Sequence, residues 1–490
     1  MSGDSEMRSC GRRWVAADVA DCRLEAGSTG LCDSSSRSCY SLTESNRDML
    51  GAKGFLVAGE VLSWRESLKP MRALSLLCYL SKVGLGILSV MAFLVSAEAQ
   101  GLQGKAWVRH VVDGTSRGAD GVRLADVDGD GLPDVVTGWE EGGTVRVYRN
   151  PGAKAAKQAW PAVTVGKVPS VEDAVLVDMD GDGVMDVVSS AEGKQRSLQV
   201  HWAPKKDYWQ TEGWRMEAIP TAKDKMMWMY ATPTELNGKK GVEILAGGKN
   251  AGAELGWWEV SDKARELKDW QWHALRPLGW VMSIEAVDMD GDGDMDVLFT
   301  DRKGKRSGCF WLEHPGADKL NEPWKEHLIG AEGLEAMFLR QGDLDGDGLL
   351  DVAVAVRPGE LKLCRRLDST GRKWSERSVT LPPGVGGAKG IAIGDINGDG
   401  RMDLVGSCEH AEAPKSGVFW LEAPKDPWKE EWQAREISGP EGIKYDLIQL
   451  LDLDGDGDLD VLTCEERANL GVIWYENPGS GTTVKGFSNQ

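Results

Sequence analysis

The chain is predicted to be all-β: a seven-bladed β-propeller of four-stranded blades, its last blade closed by the N-terminal strand. Three observations predict this. A nine-residue acidic unit recurs through residues 100–478. Short β-branched runs flank every copy. The strand count falls one short at the C-terminal end and runs one over at the N-terminal end.

The acidic unit reads DVDGDGLPD from Asp126, DMDGDGVMD from Asp178, DMDGDGDMD from Asp288, DLDGDGLLD from Asp343, DINGDGRMD from Asp395 and DLDGDGDLD from Asp452. A degenerate copy, ELNGKKGVE from Glu235, fills the one double gap, so the seven starts are spaced by 52, 57, 53, 55, 52 and 57 residues. Runs such as Ile391 to Ile393 precede the units, and runs such as Asp296 to Leu298 follow them. A third, often aromatic strand comes next, as at Cys309-Phe310-Trp311. A fourth is expected to begin with Trp160, Trp214, Trp272, Trp324, Trp374 or Trp432. After the seventh unit the chain has no fourth strand, but an orphan, Trp107 to Val112, precedes the first. Joining the two closes the ring and removes an exposed sheet edge.

Carboxylates at positions 1, 3, 5 and 9 of such a loop suit calcium, which takes six to eight oxygens in irregular geometry. The expected ligands are Asp126, Asp128, Asp130 and Asp134 in the first loop and Asp178, Asp180, Asp182 and Asp186 in the second. Asp288, Asp290, Asp292 and Asp296 follow, then Asp343, Asp345, Asp347 and Asp351. The last two sets are Asp395, Asn397, Asp399 and Asp403, and Asp452, Asp454, Asp456 and Asp460. Glycines at positions 4 and 6 permit the turn. A helix-flanked calcium loop would carry Glu at position 12, where this chain has Thr137, Ser189, Phe299, Val354, Gly406 and Thr463. About six structural Ca2+ ions are therefore expected, with none in the degenerate loop, where Lys239 is expected to neutralise Glu235 and Glu243.

The formal net charge of −20 excludes a nucleic-acid binder, which needs clustered Lys and Arg. Residues 71–99 read as a secretory signal peptide, with an apolar run from Val83 to Val95 and a small-x-small cleavage site at Ala97-Glu98-Ala99; an uncleaved anchor is the alternative. Residues 1–70 form an unpatterned leader, read as preceding the true start at Met71, and 479–490 a flexible tail. The mature chain is expected to be secreted, periplasmic or at the cell surface, monomeric and not inserted in a membrane. Cys309, Cys364, Cys408 and Cys464 fall in the patterned region and read as buried thiols or as two pairs between neighbouring units.

These repeats resemble the FG-GAP/VCBS repeats of bacterial exported proteins and, more distantly, the N-terminal propeller of integrin α chains. The resemblance covers roughly residues 105–478. It implies acidic loops on the bottom face that bind calcium at the positions named. The Phe-Gly and Gly-Ala-Pro motifs that name the family are not evident, so integrin-like ligand recognition does not carry over. Such propellers are also similar to parts of some sugar dehydratases and polysaccharide lyases, but no catalytic motif here matches either.

A ligand is expected at the opposite face, near the axis. The residues six before each loop should ring that opening: Asp120, Glu172, Met229, Met282, Met337, Lys389 and Asp446. Trp139, Trp228, Trp280, His410, Lys444 and Tyr445 lie beside it in sequence and complete the candidate ligand site with Glu172 and Lys389. Aromatics beside carboxylates suit sugar rings. The chain is read as a binding or scaffold module for a glycan or protein ligand. The rival reading is a polysaccharide lyase or sugar dehydratase using Lys389, Lys444, Tyr445 or His410.

Overall fold

The computed structural model describes residues 101–239 and 241–479. The leader, the signal peptide, the tail beyond Gly479 and the five N-terminal cysteines lie outside the described residues. Among the described residues, 28 strands form seven separate four-stranded antiparallel sheets. Blade 1 comprises Ala119–Ala125, Asp134–Trp139, Thr144–Tyr148 and Ala162–Gly166. The innermost strands of blades 2 to 7 are Val171–Val177, Met227–Thr234, Val281–Val287, Glu335–Gly342, Gly387–Gly394 and Tyr445–Leu451. Each innermost strand packs against the next, and the seventh packs against the first. This is the ring that the repeat count predicts.

Closure occurs as the spare strand implies. Val108–Asp113 pairs antiparallel with Gly471–Glu476 and forms the outer strand of blade 7, with Val108 opposite Glu476 and His110 opposite Trp474. Asp113, at the end of this strand, crosses the seam into blade 1. Its carboxylate accepts Arg146 Nη1 at 2.6 Å and Tyr148 Oη at 2.9 Å, and Trp139 Nε1 donates to the same Tyr148 hydroxyl at 2.8 Å.

The core lies between blades and is built from alternate residues of the second and third strands, which are apolar on both faces because each sheet is sandwiched by its neighbours. Tryptophan recurs at the entry to the outer strand, where its indole N–H closes the preceding connector. Trp160 donates to the Ala156 carbonyl at 3.0 Å, and Trp324 to that of Leu320 at 3.2 Å. In blade 3 this part is taken by Trp270, bonded to the Ala264 carbonyl at 2.9 Å, and not by Trp272, which packs edge-on to Trp228. Cys309, Cys364, Cys408 and Cys464 are buried free thiols.

His110 and His327 serve the outer sheet face. Each packs on a third-strand Trp, His110 tilted against Trp474 and His327 stacked on Trp311, and bonds a Glu carboxylate, Glu476 and Glu313, at 2.7 Å. His273 repeats the arrangement on Trp257 and Glu259.

Candidate functional site

Alternation would carry every second inner-strand side chain into a blade interface, so aiming one residue per blade at the axis needs a break in the pattern. All seven blades supply one. The register between first and second strands shifts at Asp120/Arg123, Val171/Asp173, Trp228/Tyr230, Val281/Ile284, Ala336/Leu339, Ala388/Gly390 and Tyr445/Ile448. Such bulges re-aim side chains. Glu172, Met229, Met282, Met337, Lys389 and Asp446 fall inside the shifts, and Asp120 sits at the edge of its own, followed by Gly121 at φ +74°.

All seven residues line one cavity of about 400 Å³. It opens at the start of the inner strands. The acidic loops follow the ends of those strands, so cavity and loops occupy opposite faces. Below it the axis is bridged. Arg123 of blade 1 reaches the Ala231 carbonyl of blade 3, and Arg340 of blade 5 reaches the Ile448 carbonyl of blade 7, both at 3.3 Å. The wall has two halves. At the ring positions blades 3 to 5 contribute Met229, Met282 and Met337, with Phe338 beside them; blades 6, 7, 1 and 2 contribute charge there, and Lys249 of blade 3 and Arg302 of blade 4 add cations from the rim.

Most of that charge is paired. Lys389 meets Asp446 at 2.5 Å, Lys444 meets Glu466, and Lys249 meets Glu172 at 3.4 Å and Glu192 more closely. Burial and the neighbouring Asp446 push the Asp120 carboxyl well up. Burial, reinforced by Glu192 and Glu140 and opposed by Lys249, raises Glu172 to about 8. Asp446 is held below its ordinary value: burial works against this, and Lys389 outweighs it.

Of the eight ligand residues expected from sequence, Glu172, Trp280, Lys389, His410 and Lys444 line the cavity. Trp139, Trp228 and Tyr445 do not: each is fully buried elsewhere. Trp139 bonds Tyr148 at the seam. Trp228 donates to the Ala222 carbonyl at 2.9 Å. The Tyr445 hydroxyl donates to the Glu441 carbonyl and contacts the Tyr475 hydroxyl. Trp228 and Tyr445 each precede a ring residue, and in a strand adjacent side chains take opposite faces. Trp280 carries Lys249, Arg302 and Lys303 within 4.8 Å of its ring, so cations cover the surface expected to stack on a sugar. His410 sits on the exposed rim, its Nε2 accepting from Arg357 at 3.3 Å. Residues that sequence alone did not single out are Lys249, the last residue of its second strand, and Arg302, which directly follows its second strand as His410 does; the second-strand end is the signal for them.

The six acidic loops share one construction. In the first, Gly129 and Gly131 at φ +75° and +85° turn their amides onto Asp126 at 2.8 and 2.9 Å. The position-5 carboxylate accepts the amide two residues on, Asp130 from Leu132 at 2.9 Å. The position-9 carboxylate is buried and clamped by two amides, Asp134 from Val127 at 3.0 Å and from Asn150 at 2.7 Å. Asn150 lies just past the third strand, so Asp134 staples three strand ends together. The same pairs recur to Asp460, bonded by Leu453 and Asn477. This explains the Pro-Gly steps after third strands, as in Asn150-Pro151-Gly152 and Asn477-Pro478-Gly479: the residue before Pro supplies the amide. Burial, with help from the loop carboxylates, raises Asp134 to about 6 and Asp186, Asp296, Asp351, Asp403 and Asp460 to about 7.

Oxygens of positions 1, 3 and 9 converge to within 4.8 Å of one another in the loops of Asp126, Asp178 and Asp288. Position 3 also meets a donor carried by the next blade. Asp180 receives Arg265, Asp290 receives Arg372, Asp345 receives Trp428 and Asp454 receives Lys157. Asp290 Oδ1 and Asp345 Oδ1 are buried with no hydrogen-bond partner. In the degenerate loop the Lys239 ammonium points away to Glu259 at 3.6 Å, and it is the Asn237 amide that engages Glu243. The expected Lys239 neutralisation of Glu235 and Glu243 by direct pairing is thus replaced by an amide bond: the side chain reaches the third-strand end more readily than it folds back over its own loop.

Fold and loops define a closed propeller of acidic-loop repeats. A family model described as the FG-GAP-like repeat matches residues 126–189 and 343–406, each a stretch opening on one acidic loop and running into the next. The chain is a seven-bladed β-propeller that carries FG-GAP-like repeats at these two stretches. No curated protein matches it. Similar solved structures include a lectin of Agrocybe aegerita, described for specific recognition of non-reducing terminal N-acetylglucosamine. It is 15% identical, with 65% of this chain and 80% of that chain covered and a TM-score of 0.39. Another is BBS1N in complex with ARL6DN, at 10% identity, 78% and 98% coverage and a TM-score of 0.45. Among the described residues no helix is long and apolar enough to cross a membrane.

Proposed function

We propose that the chain is an exported, calcium-loaded propeller acting as a non-enzymatic binding module, with a short glycan segment held in the axial cavity. The observation that carries this reading is the convergence of one bulge-aimed residue from every blade on a single cavity of about 400 Å³. That volume falls in the range of small-molecule sites, about 300–1,000 Å³. Carboxylates and ammonium groups on one half of the wall suit hydroxyls, and the Met side chains opposite suit the apolar face of a sugar ring.

Calcium has separate support in the loops: a hard cation is the natural partner for the orphaned oxygens of Asp290 and Asp345. Asp126, Asp128 and Asp134, with their equivalents, would hold it and pin each turn. Export rests on the signal-like segment 71–99 and on the family resemblance. The enzyme reading is the weaker one, because Lys389 and Lys444 are held in ion pairs and Tyr445 is away from the cavity.

A thermal-shift screen of the calcium-loaded protein against oligosaccharides tests the reading. One sugar class is expected to give a saturable shift that Met229→Trp, which fills the cavity, abolishes. A shift untouched by Met229→Trp sinks the cavity assignment. No shift with any sugar moves the function to a protein ligand.

A further inference from the structure

The face on which the axial cavity opens is electrically uneven. Three of its connections, residues 192–196, 219–226 and 302–307, carry eight Lys or Arg against two acids, Glu192 and Asp224. The other connections on this face carry six acids and five cations. A basic arc over blades 2 to 4 therefore stands out in a chain whose formal charge is −20. Hydrogen bonds and pairings join its parts. Asp224 N donates to the Arg196 carbonyl at 2.8 Å, and Arg196 Nη2 donates back to the Asp224 carbonyl at 3.0 Å. Lys249 pairs with Glu192 on one side and forms a backbone bridge with Trp280 on the other. Arg302 N donates to the Trp280 carbonyl at 2.7 Å.

Exposed lysines alone do not make a site. The end of the arc at the cavity mouth adds a set of donors built around one indole. Trp280 lines the cavity with Lys249 and Arg302, and Arg302 and Lys303 stand 4.6 and 4.8 Å from the centre of its ring. Arg302 is 7% exposed. Its Nε donates to Glu335 at a long 3.3 Å, and Glu335 is shared with Arg357. Among the described residues no hydrogen-bond acceptor meets the two Nη groups of Arg302, and none meets the Lys303 ammonium. Lys194, Arg196, Lys223 and Lys305 of the arc likewise enter no ion pair among the described residues. A buried guanidinium with its fork free, beside a second unpaired cation, has the geometry for an oxyanion, which such a fork takes in two parallel bonds.

We propose that the cavity mouth at Arg302 and Lys303 binds a carboxylate or sulfate group of an acidic glycan, whose chain runs on over the basic arc of blades 2 to 4. The proposal rests on the glycan reading above for the sugar and adds the charge. The arc ends at a cavity of sugar-ring size, which favours an acidic glycan over an acidic peptide.

The test is titration calorimetry on the calcium-loaded full chain. The probes are a panel of uronate oligosaccharides, each beside its neutral, carboxyl-reduced twin, with sulfated dextran as the sulfate probe and polyaspartate as the peptide probe. One charged sugar is expected to bind about tenfold or more tighter than its uncharged form and to weaken as salt is added. Lys303→Glu should cost that sugar about tenfold, whereas Lys154→Glu, on the opposite face, should leave it unchanged. Lys303 is exposed, and an unchanged melting temperature shows that the variant folds. Tighter binding of sulfated dextran than of any uronate, lost in Lys303→Glu, supports the site and makes sulfate its group. Neutral twins that bind as well as the charged sugars overturn the proposal and leave the glycan reading standing. Charged sugars indifferent to Lys303→Glu overturn it too. Polyaspartate binding that Lys303→Glu abolishes, with no sugar bound at all, sinks both readings and gives the arc to an acidic peptide. Failure of every anion to bind also overturns the proposal.

Discussion

Replacing Asp113 by Ala should open the ring at its seam. The carboxylate is 8% exposed and accepts four bonds, from Thr115 N at 2.8 Å, Thr115 Oγ1 at 2.7 Å, Arg146 at 2.6 Å and Tyr148 at 2.9 Å. Burial alone would raise the carboxyl, but these donors hold it below its ordinary value, so the ionised form is the one the fold uses. Truncation strands a fully buried Tyr148 hydroxyl and a largely buried Arg146 guanidinium. Leaving a buried charge without its partner costs about 3–5 kcal/mol. Part of Arg146 reaches solvent, which places the expected loss near the lower end, about 3 kcal/mol. Urea unfolding measures it, and a double-mutant cycle with Tyr148→Phe should show a coupling of about 1 kcal/mol. A loss below about 1 kcal/mol, or strict additivity with Tyr148→Phe, would refute the seam as a point of stored stability.

Three further outcomes are expected. Burial pushes the His201 imidazole down to about 4, and its Nδ1 donates to the Val165 carbonyl, so the folded state holds it neutral. The unfolded chain takes up the proton near pH 6.5, so this contribution is intact above that pH and is lost as the pH falls toward about 4. Wild type should lose about 3 kcal/mol relative to His201→Gln across that window; parallel denaturant midpoints at both ends would rule this out. Chelation should lower the melting temperature of wild type, and Asp345→Ala should remove part of that drop, about 2 °C per kcal/mol of binding lost. Glu235→Gln, in the degenerate loop, should leave the calcium-dependent shift unchanged; an equal effect there would show that the loop binds after all. Deleting residues 101–113 should expose the Gly471–Glu476 edge and produce oligomers by light scattering, whereas a monodisperse monomer would show that closure does not protect this edge.

Much of the architecture was legible because a propeller repeats its grammar. Loop spacing, blade number and the orphan strand before the first loop led directly to the ring and its closure. The seven axial positions were legible too, since a fixed offset from each loop places equivalent residues alike. What was not legible depends on contacts that a single-strand pattern does not encode. Trp228 and Met229 are neighbours in sequence, yet one fills a blade interface and the other the cavity, and a bulge decides which. Position 9 of each loop reads as one more acid among four. Its use as a two-amide staple becomes visible only once the third strand returns to it. Pairing among Lys389, Asp446, Lys444 and Glu466 joins side chains that sequence alone would leave free for chemistry.

The donors that cross from one blade to the position-3 carboxylate of the blade before it mean that a blade is not a self-sufficient module. Arg265, Arg372, Trp428 and Lys157 all lie in connectors between third and outer strands, and each completes a neighbour's loop. Blade 7 has no such connector, because its outer strand arrives from the other end of the chain. The loop that would borrow from it is that of blade 6, and there position 3 is the neutral Asn397, which carries no charge for a neighbour's cation to meet. The break in the chain within blade 7 thus coincides with a single Asp-to-Asn change one blade away. Duplicating or transplanting a blade of this protein would have to move the loop of one repeat together with the connector of the next.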